Sequence, residues 1–155
     1  MCIRDSYWTQ HCWGVTCVND MEAMLSYLPI STDNKDQALA DLVRCYERMM
    51  MRSHTNGGYV NLLDECWKMC EKFHTNIVIM YDHVSCKNVG GLHGLFEDQA
   101  RERGIHLIWI PHDVMDPRTV SRREMREAFS QYMVTVLNEK PLDPTLLDYE
   151  DTLSW

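Results

Sequence analysis

A thiol, an imidazole and a glycine pair fall within one short stretch, at Cys86, His83 and Gly90-Gly91. Cys86 follows an apolar run, sits beside Lys87 and stands just before a predicted helix N-terminus; the cation and the amide dipoles both favour thiolate over thiol. Thiolate is the form a metal ligand or a nucleophile needs, and a loop cysteine that merely packs is the alternative. His83 could bond a ligand or cluster, or close the end of the strand. The glycines could let a ligand approach the backbone or could simply turn the chain. They lack the spacing of a P-loop or a dinucleotide fingerprint.

His112 and Asp113 end the next apolar run and would face the same rim, where they could support a ligand-bearing residue from behind. Asp116-Pro117-Arg118 reads as a turn fixed by an aspartate side chain, with an anion contact by Arg118 as the lesser reading. No Ser-His-Asp arrangement is legible. Cys66 and Cys70, four apart on a predicted helix, share one face as two metal ligands would. They lie within an apolar stripe, and buried cysteine is a common core residue, so packing is the favoured reading. Cys17 and Cys45 read the same way, and Cys12 stays open. His54, His74, His93 and His106 read as structural or surface residues.

The elements that must position these groups follow from periodicity. Trp13–Val18 is β-rich and reads as a first strand. Met21–Leu28 reads as a short helix, followed by a polar loop over Pro29–Asp36. From Ala38 the residues Leu39, Leu42, Val43, Tyr46, Met49 and Met50 mark a helix with one core-facing stripe, broken over Ser53–Gly58. A second helix runs from Gly58 to Phe73, with Leu62, Leu63, Cys66, Trp67, Cys70 and Phe73 on one side. Ile77–Tyr81 is continuously apolar, the signature of a parallel strand buried on both faces.

After the cysteine loop, Leu92, Leu95, Phe96 and Ala100 predict a helix capped by Gly104, and Ile105–Pro111 a further strand. Ser121 and Glu124 form a capping box opening a helix striped by Met125, Ala128, Phe129, Tyr132, Met133, Val136 and Leu137. The expected fold is α/β: a three-layer, doubly wound parallel sheet of about three or four strands with flanking helices. Such sheets bind ligands at the carboxyl ends of their strands. Beyond Asn138 an acidic tail, residues 139–155, is expected to be extended and anchored by Leu146, Leu147, Tyr149 or Trp155.

Composition sets the outer bounds. With 155 residues, 45% of them apolar, the chain suits one compact domain. A formal charge of −8 argues against a nucleic-acid or anionic-membrane surface. No run approaches the roughly eighteen apolar residues of a spanning helix, so a cytoplasmic protein is expected. Seven cysteines, an odd number at irregular spacing, suit thiols or metal ligands rather than disulfides. Met1–Ser6 resembles translated adapter sequence, so residues 1–6 are expected to be non-native and residues 7–138 to be the C-terminal domain of a longer protein.

The stretches His83–Gly91, Arg103–Ile105 and Asp113–Arg118, with Ser121 and its helix, resemble the C-terminal domain of the 2-hydroxyacyl-CoA dehydratase family, which includes 2-hydroxyglutaryl-CoA dehydratase and benzoyl-CoA reductase subunits. The resemblance is most specific over His74–Leu137. It implies a lyase of anaerobic bacteria that removes water from a 2-hydroxyacyl-CoA to give an enoyl-CoA. Two related subunits each hold a [4Fe-4S] cluster through three cysteines, and a separate ATP-hydrolysing iron-sulfur activator delivers one electron that makes a ketyl radical of the thioester.

On this resemblance Cys86 takes the place of the last cluster ligand, with His83, Gly90 and Gly91 around the cluster; His83 is the candidate catalytic residue. The other two ligands are expected upstream of this domain. The alternatives are a benzoyl-CoA reductase-type subunit and a non-catalytic accessory module of the same fold.

Overall fold

The computed structural model describes residues 3–21, 28–116 and 118–147. In chain order its elements are α1 (Ile3–Trp13), α2 (Lys35–Glu47), α3 (Met50–Gly57), α4 (Tyr59–Phe73), β1 (Ile77–His83), α5 (Lys87–Gly90), α6 (His93–Arg103), β2 (His106–His112) and α7 (Arg122–Thr135), followed by a 3-10 turn at Pro144–Leu146. They divide into two compact units, one of the chain up to Cys17 and from Asn76 onward, the other Val18–Thr75.

The first unit is built on β1 and β2, which pair in parallel with Ile77 opposite His106 and His83 opposite His112. Because successive side chains alternate between faces, Ile79, Tyr81, Ile108 and Ile110 share one face. There they pack with Trp8, Cys12 and Trp13 of α1 and with Phe129 and Met133 of α7. Trp109 lies on the other face, its ring 6.1 Å from Phe96 of α6 and edge-on to it. Helices thus cover both faces of a parallel sheet, as expected, but among the described residues the sheet has two strands rather than three or four. Every residue of β1 is half-buried, where burial on both faces had been expected; the buried strand positions, Leu107, Ile108 and Ile110, belong to β2.

The missing strand is Trp13–Val18. Trp13 is the last residue of α1, and Gly14, at φ +72°, turns the chain out of it. The Gly14 and Val15 amides donate back to the Gln10 and Thr9 carbonyls. A glycine that looked like a strand residue therefore acts as a helix terminator. The helical signal lay upstream: Trp8, Thr9, Cys12 and Trp13, spaced by three and four, are the buried positions of α1. The helix expected over Met21–Leu28 falls almost wholly outside the described residues.

α6 ends as expected. Gly104 adopts φ +66° and the Ile105 amide reaches back to the Ala100 carbonyl. α7 opens on the full capping box, the Glu124 amide donating to Ser121 Oγ at 3.2 Å and the Ser121 amide to the Glu124 carboxylate at 2.6 Å. These bonds hold the Glu124 carboxyl below the usual carboxylate range, the Ser121 amide contributing most. Ser121→Ala is expected to cost about 1 kcal/mol of stability, read from chemical denaturation.

After α7 the chain folds back rather than running out. The Leu142 amide donates to the Cys12 carbonyl at 2.7 Å, and Trp8 Nε1 to the Leu146 carbonyl at 3.2 Å. Leu146 is thus an anchor, as expected, while Tyr149 and Trp155 lie outside the described residues.

In the second unit α2 starts earlier than predicted, at Lys35, because Asn34 caps it by accepting from the Asp36 amide at 2.9 Å. Its apolar stripe was expected to face a core. Instead Leu39, Leu42, Val43 and Tyr46 are all more than half exposed; periodicity reports amphipathicity, not what covers the apolar side. The expected break over Ser53–Gly58 is also displaced. The chain breaks at Arg48–Met49, resumes as α3 through Gly57, and turns at Gly58, where φ is +79°. Asn56 and Gly57 stay helical, so the turn-forming residues act only at the end of the run. α4 buries Leu62, Leu63, Cys66, Trp67 and Cys70 as predicted, while Phe73 at its end is exposed.

Candidate functional site

Parallel pairing brings the carboxyl ends of β1 and β2 to one edge, so His83 and His112 stand side by side with ring centroids 6.1 Å apart. The Val84 amide donates to the His112 carbonyl at 3.1 Å, carrying the pairing one residue past the strand. Both loops then close on the His83 ring. The Ser85 amide lies 3.1 Å from Nδ1 and the Val114 amide 3.2 Å from Nε2, which also stands 3.8 Å from the Asp113 carboxylate. Each ring nitrogen thus faces a backbone N–H, Nδ1 that of the loop after β1 and Nε2 that of the loop after β2. His83 therefore joins the loop after β1 to the loop after β2.

The second loop is held by its own carboxylates. Asp113 Oδ1 accepts from the Met115 amide at 2.9 Å and the Asp116 amide at 3.3 Å. The Met115 bond is the main reason its carboxyl stays below the ordinary range, aided by Asp116, Thr119 and His83. Asp116 accepts from the Arg118 amide at 3.0 Å and from its guanidinium at 2.9 and 2.7 Å. The predicted aspartate turn is present, and Arg118 is committed to Asp116. Burial, with a smaller contribution from His83, holds His112 below its usual pKa, which favours a neutral ring.

Cys86 lies half-buried at the head of α5. Its amide donates to the His83 carbonyl at 2.8 Å and its carbonyl accepts from the Gly90 amide at 3.0 Å. The backbone on either side of the thiol is therefore fixed without use of the side chain. Gly91 has a steric reason to be glycine, since a Cβ there would stand 3.1 Å from the Lys87 carbonyl; at Gly90 the nearest neighbour, the Asp82 carboxylate, would be at an ordinary 3.9 Å.

Two residues at this edge were not read as site residues, Asp82 and His93, the latter having been expected to be structural or on the surface. Asp82, one position before His83 and so on the opposite face, lies 3.3 Å from Nε2 of His93, the first residue of α6. The His93 ring stacks on Trp109 with centroids 3.7 Å apart. The alternation Asp82/His83 was readable, but the arrival of His93 above Trp109 depends on how α6 lies on the sheet.

Among the described residues no group of three or more His, Cys, Asp or Glu side chains gathers as a metal site. Cys66 and Cys70 are buried in α4, as the packing reading expected. Cys12 is fully buried in the first unit's core, its thiol 3.7 Å from the Asp143 carbonyl and its pKa pushed up by burial and by Asp143. A cluster held by three cysteines thus does not fit the described residues alone; at the strand ends they offer one thiol, that of Cys86.

The family model described as 2-hydroxyglutaryl-CoA dehydratase, D-component, matches residues 6–133. No curated protein and no solved structure matches the chain.

Proposed function

The chain belongs to the 2-hydroxyglutaryl-CoA dehydratase D-component family, and from that membership we propose that it forms the C-terminal part of a subunit that removes water from a 2-hydroxyacyl-CoA to give an enoyl-CoA. The observation that carries the reading to particular residues is the position of Cys86. It is a thiol at the carboxyl end of a parallel strand, on a loop tied down by His83 and Asp113. Its role is to give one thiolate to an iron-sulfur cluster whose remaining ligands come from outside the described residues. Thiolate suits iron in such clusters.

The residues present would hold that thiolate in place, with His83 beside it as the candidate catalytic residue. His83 links the two loops, Asp113 fixes the second, and Gly91 permits the tight turn after α5. Its partners in this reading are a second, related dehydratase subunit, an ATP-dependent iron-sulfur activator and the acyl-CoA, in the cytoplasm. Among the described residues no helix is long and apolar enough to cross a membrane.

The test is an anaerobic assay of the full-length subunit with its partner and activator. Formation of enoyl-CoA from 2-hydroxyglutaryl-CoA is the expected result. Reduction of benzoyl-CoA without dehydration would transfer the site to a reductase, and no turnover of either would leave a binding module. A second expectation concerns the polypeptide itself. Residues 1–155, incubated anaerobically with iron and sulfide, should give no stable four-iron absorption spectrum, because one thiolate cannot retain the cluster; a stable spectrum with turnover would overturn the assignment of the other ligands.

A further inference from the structure

On the face of the sheet opposite His83, Asp82 and His93 form a carboxylate–imidazole pair with one side open. Nε2 of His93 is buried and stands 3.3 Å from Oδ1 of Asp82, yet the two are not aligned as a hydrogen bond. Nδ1 has no hydrogen-bond partner among the described residues, and the His93 side chain is 33% exposed. The ring is held instead by stacking on Trp109, at 3.7 Å and 20°, which Phe96 braces edge-on. A pair kept only to pin α6 would close its hydrogen bond, because a buried ring nitrogen left without one costs stability. Catalytic pairs, by contrast, are often misaligned until substrate binds.

The pair also borders the thiol loop. A Cβ at Gly90, the last residue of α5, would stand 3.9 Å from Oδ1 of Asp82. Cys86 heads α5 and His93 opens α6, and the four residues of α5 rise only about 6 Å. Removal of water from a 2-hydroxyacyl group breaks the C3–H and C2–O bonds. The electron pair of the first becomes the new double bond, the pair of the second leaves with the hydroxyl, and the proton joins that hydroxyl as water. A group must carry that proton. We propose that His93 carries it: Nδ1 takes the proton from C3 and gives it to the departing hydroxyl, while Asp82 at Nε2 holds the ring in the receiving tautomer and balances the charge it gains. The proposal rests on the dehydratase reading. It adds to His83, whose ring nitrogens each face a backbone N–H, a second imidazole with its outer nitrogen open.

The tautomer is tested first, by nuclear magnetic resonance of the unaltered chain carrying nitrogen-labelled histidine. Neutral His93 should bear its proton on Nε2 and leave Nδ1 bare; a proton on Nδ1 overturns the proposal, and a variant that fails to fold does not touch this result. In the full-length subunit with its partner and activator, His93→Gln should slow enoyl-CoA formation by about 10²- to 10⁴-fold at unchanged iron content. Deuterium at C3 of the substrate should slow that variant more than the wild type, and Asp82→Asn should lower the rate with His93 in place. Imidazole added to His93→Ala should restore turnover, whereas thiazole, a ring of the same size and a far weaker base, should not; a ring missed only for its packing would be replaced by either. Wild-type turnover by His93→Gln, or equal rescue by the two rings, overturns the assignment of His93 and leaves the dehydratase reading standing. Failure of the wild-type complex to dehydrate 2-hydroxyglutaryl-CoA overturns that reading, and the proposal with it.

Discussion

Cys86→Ala in the complete dehydratase should abolish turnover while leaving the thermal stability of the subunit almost unchanged. The stability half follows from what the side chain does not do. Cys86 is half-buried and lies outside the apolar core. Its loop is held by its backbone amide and carbonyl, bonded to His83 and Gly90, and alanine keeps both bonds. A substitution of this kind changes stability by no more than about 0.5 kcal/mol. The activity half follows from the proposed ligand role. Loss even of a group that supports a metal ligand costs about 10- to 100-fold, and loss of the ligand itself should cost more.

Three readouts separate the possibilities: the rate of enoyl-CoA formation, iron bound per complex, and melting temperature. A loss of rate and iron together at unchanged melting temperature is the expected pattern. Cys66→Ala should show the opposite signature, because Cys66 is 1% exposed within α4: a lower melting temperature with normal rate per folded molecule. Wild-type turnover by the Cys86 variant would remove Cys86 from the site.

What the chain revealed before folding, and what it concealed, divides along the range of the interactions. Gly104, the Ser121–Glu124 box, the apolar runs of β1 and β2 and the buried stripe of α4 each depend on residues a few positions apart, and each was legible. The shared edge of His83, His112 and Asp113 was also legible, since two parallel strands must end on the same side. Trp13–Val18 misled because β-forming residues flank a glycine whose actual use is to end a helix. The stripe on α2 was read correctly as a stripe and wrongly as buried, because no local pattern says which apolar faces find cover. The apolar stripe of α7 carried no sign of what Arg122 and Arg126 would meet. Asp5, which lies against both, is more than a hundred residues away, and only the folded chain brings it to them.

The largest stability effect should come from Phe129→Ala, at about 3–5 kcal/mol. Phe129 is 1% exposed and belongs to the cluster where α1, α7 and the sheet meet. It meets Trp8 and Trp13 edge-on, with ring centroids 5.8 and 6.4 Å apart, and such aromatic pairs add about 0.5–1.5 kcal/mol each beyond the area they bury. α1 is a helix and cannot pair with the strands, so packing of this kind is a main part of what docks it against them. Against a total stability of about 5–15 kcal/mol for a domain, the loss is a large fraction. The unit should unfold at much lower denaturant, with the near-ultraviolet signal of its tryptophans lost in the same transition as the helical signal. Phe129→Leu, which keeps most of the volume, should cost less than half as much. If Phe129→Ala cost less than about 1 kcal/mol, α1 would have to be held by its polar contacts, the Asp5 pairs with Arg122 and Arg126 and the Trp8 bond to Leu146, and the weight of the docking would move from the ring to those charges.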